Sequence, residues 1–432
     1  MFDNYKYHIS EPKGEYMSIK KEKIPIVRFK DFSEPWFQNQ LSEVAEFSKG
    51  RGYSKKDLQS HGTPIILYGR LYTNYESEIS EVETYANLEE NSVVSEGGEV
   101  IIPSSGESAD DISRASCVIN RGIILGGDLN IVRPHEYLNS LFIAITLSNG
   151  SQQRELSKRA QGKSVVHLHN SDLKAVKLFY PSYEEQSAIG SLFRTLDDLL
   201  SSFKENLVNY QSLKATMLSK MFPKAGQTVP EVRLDGFEGE WEFSSLGEQA
   251  DITKLAGFEF TKHVVYSDEG EIPAIRGLNV KNQKINLSDV KYIDRSDFSK
   301  LNRSKLIEND LLFTYVGTVG EVARVPENVL WYLAPNVSRI RLNRTLDSRF
   351  VLYQMTSNRF KQKQIAPLIA TSSQPALSMA NIRKFIVSFT TLEEQQAIGS
   401  YFSNLDQLIT SYQEKITQLE TLKKKLLQDM FI

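Results

Sequence analysis

Two stretches of this chain are copies of each other, and this repeat constrains the fold more than any other feature. Residues 184–222 and 393–431 align without a gap at an offset of 209 positions. Eighteen of the 39 aligned residues are identical, including Glu185/Glu394 and Phe222/Phe431. A repeat of this length indicates the duplication of a whole structural module. We therefore expect two modules of one design.

A second, shorter repeat precedes each copy of the first. Residues 24–53 match residues 229–258 at an offset of 205, with Trp36 aligned on Trp241. Between the matched ends, each half holds about 130 residues that align poorly apart from short anchors such as Pro64/Pro273. Short β-prone runs bounded by Gly, Pro, Asn or Asp fill these blocks. They predict mixed α+β domains with additional helices at 136–150 and 347–364.

The repeats divide the chain into five parts. The predicted parts are an N-terminal tail (1–23), a first globular domain (24–182), a first repeated helix (183–223), a second globular domain (224–391) and a second repeated helix (392–432).

Apolar residues in the repeated element recur in alternating steps of four and three, the spacing of a coiled-coil seam. The seam residues are Ile189, Phe193, Leu196, Leu200, Phe203 and Leu207 in the first copy, and Ile398, Phe402, Leu405, Ile409, Tyr412 and Ile416 in the second. A helix this long spans about 58 Å and is too long to be buried alone. We predict an α+β fold, in which two globular domains of mixed α/β structure are joined by two long antiparallel coiled-coil helices with an internal pseudo-twofold repeat. The alternative for any one apolar stripe is ordinary core packing.

The composition limits the cellular setting more than the function. The formal net charge of −3 does not announce a nucleic-acid binder, but net charge averages over faces that can differ in sign. A single cysteine, Cys117, excludes an intramolecular disulfide. Neither a signal peptide nor a long apolar span is visible, so we expect a cytoplasmic protein without a membrane partner.

Catalytic motifs are missing from the sequence. There is no GxxxxGK[ST] loop, no GxGxxG after a strand, and no Asn/Asp-Pro-Pro-aromatic tetrapeptide of the amino-methyltransferase type. The pair His167 and His169 has no third ligand at a zinc spacing and is more simply a solvent-facing pair. We therefore predict a binding protein with no catalytic residue, metal or cofactor of its own.

Two pairs of polar loops, each occupying equivalent places in the two halves, are candidates for DNA contact. Lysines there would neutralise phosphates, and Arg, Gln, Ser or Thr could contact base edges. The alternative is a solvated hairpin tip. The candidate residues are Lys49, Arg51, Tyr53, Lys55 and Lys56, with Lys254, Phe258 and Lys262 in the equivalent loop, and then Lys158, Arg159, Gln161, Lys163 and Ser164, with Thr371, Ser372, Ser373 and Gln374.

These motifs together resemble one family. The pattern Glu-Glu-Gln-x-Ala-Ile-Gly-x-x-Phe-x-x-Leu-Asp occurs at 184–197 and 393–406, and Val-Arg-Phe/Leu-x-x-Phe-x-x-x-Trp occurs at 27–36 and 232–241. Both resemble motifs of the specificity subunits of type I restriction-modification enzymes. The resemblance covers the chain from about residue 24 to 432.

The resemblance implies a division of labour between subunits. Each globular domain would recognise one half of a bipartite, asymmetric site in double-stranded DNA, while the helices would set the spacer. Two modification subunits carrying S-adenosylmethionine would dock on the helices, and restriction subunits using ATP and Mg²⁺ would join the complex. Two other functions remain open, namely a coiled-coil adaptor that binds only protein and a stand-alone nuclease.

Overall fold

The chain divides into two units that share both long helices. A computed structural model describes residues 24–162, 165–255, 257, 262–369 and 375–432. The first unit runs to Ser202 and includes Ile416–Ile432, and the second unit is Phe203–Lys415. No helix in the described part of the chain is both long and apolar enough to cross a membrane.

The first unit contains a mostly antiparallel five-stranded sheet, a three-stranded sheet and two short strand pairs. In sheet order, the strands are Ala45–Lys49, Leu129–Pro134, Glu99–Pro103, Ser116–Val118 and Glu78–Ile79; then Tyr85–Ala86, Thr63–Ile66 and Ile124–Leu125; then Phe37–Gln40 with Lys177–Tyr180, and Ser105–Gly106 with Val166–His167. Its shorter helices are Leu41–Val44, Arg70–Thr73, Ala109–Ile112, Ser140–Leu147, Gly150–Arg159 and Asn170–Lys174, with a 3₁₀ turn at Lys55–Asp57.

The second unit repeats this plan with a four-stranded sheet in place of the five-stranded one. In sheet order, its strands are Ala250–Lys254, Val337–Leu342, Leu311–Thr314 and Val322–Arg324; then Lys291–Tyr292, Pro273–Ile275 and Tyr332–Leu333; then Glu242–Ser245 with Ile386–Phe389, and Val280–Lys281 with Lys284–Ile285. Its shorter helices are Leu246–Gln249, Ser348–Thr356, Asn358–Phe360 and Met379–Arg383, with 3₁₀ turns at Gly277–Asn279, Phe298–Lys300, Asn302–Ser304 and Ala366–Leu368 and a π-helical turn at Lys361–Ile365.

Two helices that the sequence predicts as continuous are interrupted in the structure. The helix predicted at 136–150 ends at Leu147, and a new helix begins at Gly150, whose φ of +67° cannot continue the first one. The helix predicted at 347–364 breaks at Ser357, which takes an extended conformation and accepts a hydrogen bond from the Phe360 amide. Apolar periodicity alone does not reveal either break.

The two repeated elements form the longest helices, which we name the first long helix (Tyr183–Lys220) and the second long helix (Leu392–Asp429). Within each unit, their segments run antiparallel. In the first unit, Phe193 packs on Phe431 while Asp197, one turn later, pairs with Lys423. In the second unit, Lys214 pairs with Asp406 at 2.5 Å, and Phe222 stacks on Phe402.

The seam residues lie on the inner faces of these helices and are buried or half-buried. Ile189, Phe193, Leu196, Leu200, Ile398, Phe402, Leu405 and Ile416 are buried, while Phe203, Leu207, Ile409 and Tyr412 are half-buried. The later positions are less regular, because Leu422 is 42% exposed although its repeat partner Leu213 is half-buried.

An aromatic cluster joins the end of one long helix to the start of the other in each unit. In the first unit, Phe431 contacts Trp36, Phe142 and Phe193 with ring centroids 5.9–6.5 Å apart. The equivalent Phe222 contacts its own set in the second unit at 5.3–6.3 Å: Trp241, Phe350 and Phe402. Each unit therefore needs helical segments from both repeats to complete its core.

A buried ion pair fixes the start of each long helix to the segment that begins the matching domain. Arg28 donates two hydrogen bonds of 2.6 Å to Glu185, and Arg233 donates two of 2.7 Å to Glu394. Both glutamate side chains are only 1% exposed. The hydrogen bond to Glu394 raises the pKa of the Arg233 guanidinium. A glutamate that is not paired would be costly at this depth.

The glutamine and the glycine of the same helix motif hold the domain close to the long helix. Gln186 accepts a hydrogen bond from the Asn139 amide and donates to the carbonyl groups of Tyr137 and Pro181. Gln395 makes the same three kinds of contact in the second unit. A Cβ on Gly399 would lie 2.9 Å from the Cβ of Arg349, so only glycine allows this approach.

We expect Glu394→Gln to lower the free energy of unfolding by about 3 kcal/mol or more, because it leaves the Arg233 guanidinium without its carboxylate partner. Urea unfolding, compared at equal slope, measures the change. Glu393→Gln is the matched control, since Glu393 is exposed and adjacent. Equal stability of the two variants would contradict a stabilising role for this ion pair.

Candidate nucleic-acid interface

In the first unit, three strand ends and the loops that follow them meet at one edge of the large sheet, which we call the loop edge. Lys49 ends its strand opposite Asn130, and Leu129 begins its strand opposite Pro103, where a third strand ends. The Gly50 amide donates to the Leu129 carbonyl at 2.9 Å. Because neighbouring strands are antiparallel, these ends must lie together. The 49–56 loop therefore starts from this edge.

The second predicted loop of the first unit returns to the same edge through Ser104. The Ser104 amide donates to the Asp128 backbone carbonyl at 2.8 Å, and the Leu168 amide donates to the Ser104 carbonyl at 3.0 Å. Val166 also pairs with Gly106 in a short ladder. Segments far apart in sequence are thus brought to one surface. The 49–56 segment is not a hairpin tip, because the strand before it pairs with Leu129–Pro134.

Most of the basic candidates in the first unit are exposed to solvent. The exposed residues are Lys49, Arg51, Lys55, Lys56 and Lys158. Lys163 and Ser164 lie outside the described residues. Lys55 and Lys56 sit in the 3₁₀ turn that Ser54 caps. The backbone amide and the hydroxyl of Ser54 donate to the Asp57 carboxylate, and these hydrogen bonds lower the pKa of the Asp57 carboxyl. The turn gives the two lysines a defined backbone.

Three other candidates are held by contacts within the protein. The Tyr53 hydroxyl donates to the Asn87 carbonyl at 2.8 Å and is bonded to Ser92. Arg159 is bonded to Glu155 at 2.8 Å. Gln161 has an exposed side chain, while its backbone is bonded to His167.

The second unit forms an equivalent loop edge with different side chains. Lys254 ends its strand opposite Ser338, and its Nζ lies 5.5 Å from the centre of the Tyr315 ring. The Leu377 amide donates to the Tyr315 carbonyl at 2.8 Å, which brings in the segment before the second long helix. Lys262 is exposed. Phe258, Thr371, Ser372, Ser373 and Gln374 lie outside the described residues.

Sequence reasoning missed Tyr315 and Asn336, which belong to this edge in the second unit. The Tyr315 amide donates to the Asn336 carbonyl at 3.2 Å, and Asn336 has a φ of +69°. The glycines of the following 316–320 turn were a usable signal, because such turns mark strand ends.

Several arginines of the second unit are already paired inside the protein. Arg339 is buried next to Asp251, and burial lowers the pKa of its guanidinium. Arg341 donates two hydrogen bonds of 2.8 Å to Asp310, and these bonds raise the pKa of the Arg341 guanidinium. Paired arginines of this kind stabilise the sheet and contribute little charge to a surface.

The described residues carry no group of three or more His, Cys, Asp or Glu side chains that could hold a metal ion. The rings of His167 and His169 are stacked with centroids 6.4 Å apart. Burial raises the pKa of the Cys117 thiol to about 12, so it is not a nucleophile at neutral pH.

Comparison with known proteins identifies the repeated architecture. Residues 33–210 and 238–421 each match the sequence profile of the family described as "Type I restriction modification DNA specificity domain". The chain belongs to this family. Each of its two specificity domains begins just before the first strand of a unit and extends into a long helix.

Named relatives cover most of the chain at low identity. The type I restriction enzyme MjaVIII specificity subunit of Methanocaldococcus jannaschii is 21% identical over 71% of this chain and 73% of its own length. The EcoKI specificity subunit of Escherichia coli K12 is 21% identical over 92% of this chain and 89% of its own length. Both relatives are named as specificity subunits, which agrees with the family to which the chain belongs.

A solved structure has a similar fold. The crystal structure of the S subunit of a type I restriction-modification system from M. genitalium matches with a TM-score of 0.59 and 14% identity. The match covers 95% of this chain and 99% of that one. It supports the two-domain α+β architecture.

Proposed function

We propose that this chain is the non-catalytic DNA-recognition subunit of a type I restriction-modification complex. Each specificity domain would recognise one half of a bipartite, asymmetric site in double-stranded DNA. The observation that carries the proposal is that two domains of similar plan present different residues at equivalent loop edges.

The chemistry of each loop edge suits contact with DNA. Exposed lysines such as Lys49 and Lys254 can neutralise phosphates and position the duplex. Arg51 and Asn336 can bond to base edges. The first domain has Ser104 and Asp128 where the second has Tyr315 and Asn336, since the same backbone hydrogen bonds join each pair. Because these equivalent edge residues differ, the two half-sites should differ in sequence.

The long helices would form the spacer of the complex as an antiparallel coiled coil. Each has 38 residues, which corresponds to about 57 Å of helix. The ion pairs Asp197–Lys423 and Asp406–Lys214 are repeat-equivalent and link the helices within each unit. Paired contacts of this kind support a rigid spacer.

We propose that modification subunits dock on the outer faces of these helices. Leu199 and Leu408, which are repeat-equivalent, are 36% and 42% exposed. Two matching exposed leucines suit two copies of one partner, because large apolar side chains are favoured in interfaces. S-adenosylmethionine would enter with the modification subunits, and ATP and Mg²⁺ with the restriction subunits.

The proposed function can be tested by mapping DNA methylation in cells that express this chain with its modification subunits. We expect one adenine-methylated motif with two dissimilar halves and a fixed, non-specific gap. A palindromic motif would contradict the two-half-site reading. Methylation by the modification subunits alone, or DNA cleavage by the purified chain with Mg²⁺, would contradict the proposed role.

Four residues inserted after Asn206 and four after Lys415, its repeat equivalent, should change the length of the tolerated gap while both half-sites stay the same. A paired insertion adds about one turn to each helix and preserves their relative register. Methylation mapping reads out the gap. A four-residue insertion at the exposed Asn328 turn is the control and should leave the gap unchanged.

Replacing Lys55 and Lys56 together by alanine should weaken DNA binding of the assembled complex equally for specific and unrelated duplexes. If each lysine neutralises one phosphate, the negative slope of log K against log salt should become shallower by about 2. Salt titrations of fluorescent duplexes measure this. Lys424→Ala with Lys425→Ala, an exposed adjacent pair on the second long helix, is the control. An equal change in the salt slope of both double variants would contradict DNA contact by the 3₁₀ turn.

A further inference from the structure

The second specificity domain has a cavity of about 390 Å³ beside its loop edge. Residues 276–278, 316–318 and 335–336 line it. The Gly317 amide, one of the lining groups, donates to the Pro375 carbonyl at 2.9 Å, so the cavity adjoins the segment before the second long helix. Leu278 at its rim is 57% exposed. Asn336, an exposed residue of the loop edge, also lines the cavity, so the cavity adjoins the surface where DNA contact is proposed.

Among the residues that the structure describes, Arg276 is the only charged one lining this cavity, and the sheet register aligns it with Leu67 of the first domain. The Ala334 amide donates to the Ile275 carbonyl at 2.9 Å, and the Gly126 amide donates to Ile66 at the same distance. Arg276 and Leu67 therefore come directly after equivalent strands of the two domains. The Pro64/Pro273 anchor gives the same alignment, at an offset of 209.

The equivalent position of the first domain is filled by an apolar side chain. A Cβ on Gly126 would lie 2.5 Å from Cδ2 of Leu67, which shows how closely the leucine packs there. Leu67 also packs against the buried cluster of Ile65, Ala86 and Ile124. One fold thus carries an arginine at this place in one domain and a leucine in the other.

The Arg276 guanidinium is held in place but retains free donors. Its Nη2 donates to the Asp289 carbonyl at 2.7 Å and to Oδ1 of Asp289 at 3.2 Å. Its Nε is buried without a partner among the described residues, so Nη1, which has no hydrogen bond to them either, is the group left to meet a ligand. Because Asp289 already neutralises much of its charge, the group is poorly suited to attracting phosphate. A fixed guanidinium with unused N–H groups is well suited to a base acceptor.

We propose that Arg276 reads a hydrogen-bond acceptor on a base edge in the half-site bound by the second domain. Guanine fits best, because its O6 and N7 offer two adjacent acceptors in the major groove. The proposal rests on the proposed function above. It also implies that the first domain has no arginine contact at the equivalent place of its half-site, since Leu67 stands there.

The test uses the chain assembled with its modification subunits and a panel of duplexes, each with one base pair of the mapped site changed. Arg276→Leu places the residue of the first domain in the second. Wild-type discrimination at one G·C pair should fall about 5- to 150-fold, whereas every other position, the first half-site and the gap stay unchanged. Arg344→Leu is the matched control, since Arg344 is exposed beyond the other end of Val337–Leu342.

Arg276→Lys separates base reading from phosphate binding and also serves if the leucine variant does not fold. Lysine keeps the charge but not the planar fork, so discrimination at that position should still fall. Unchanged discrimination in Arg276→Lys, or equal weakening on every duplex with a smaller salt slope, would overturn the proposal. In those outcomes the wild-type site remains bipartite, whereas a palindromic wild-type site would instead contradict the proposed function.

Discussion

The buried pair between an arginine and a helix glutamate, made once in each unit, is the contact on which the architecture depends. Arg28 and Arg233 come from the short repeat, while Glu185 and Glu394 come from the long one. Each pair therefore ties the two repeated segments of a domain together across the variable block between them. Because a lone charge at this depth would cost several kcal/mol, neither partner can change alone. This explains why both ends of the block are alike while its interior differs.

The aromatic clusters extend this dependence to the other end of each long helix. Phe431 completes the core around Trp36, and Phe222 completes the core around Trp241. Aromatic pairs of this kind each contribute about 0.5–1.5 kcal/mol beyond their buried area. Each domain is therefore stabilised by a helix end that belongs to the other repeat. The first repeated helix thus supplies Phe222 to the core of the second domain, and the second repeated helix supplies Phe431 to the core of the first.

Much of the architecture is visible in the sequence because it is encoded by local patterns. The long helices follow from apolar steps of four and three, and the strands follow from short β-prone runs. The composition of the loop edges could not be predicted, because it depends on strand ends such as Lys49, Leu129 and Pro103 that meet only through sheet register. Tyr53 illustrates a second limit, since the partner of its hydroxyl, Ser92, is 39 residues away. Arg276 was hidden for the same reason, within a block whose sequences align poorly although their strands correspond.

The strand Leu129–Pro134 separates two surfaces of the first domain that must satisfy different demands. It starts at the loop edge, and the residues just after it reach Gln186 through Tyr137 and Asn139. Six residues of strand place about 20 Å of rigid sheet between the two ends. Substitutions at one end are therefore mechanically insulated from the other. A lineage could replace the residues that face DNA many times over without loosening the joint that keeps the subunit assembled.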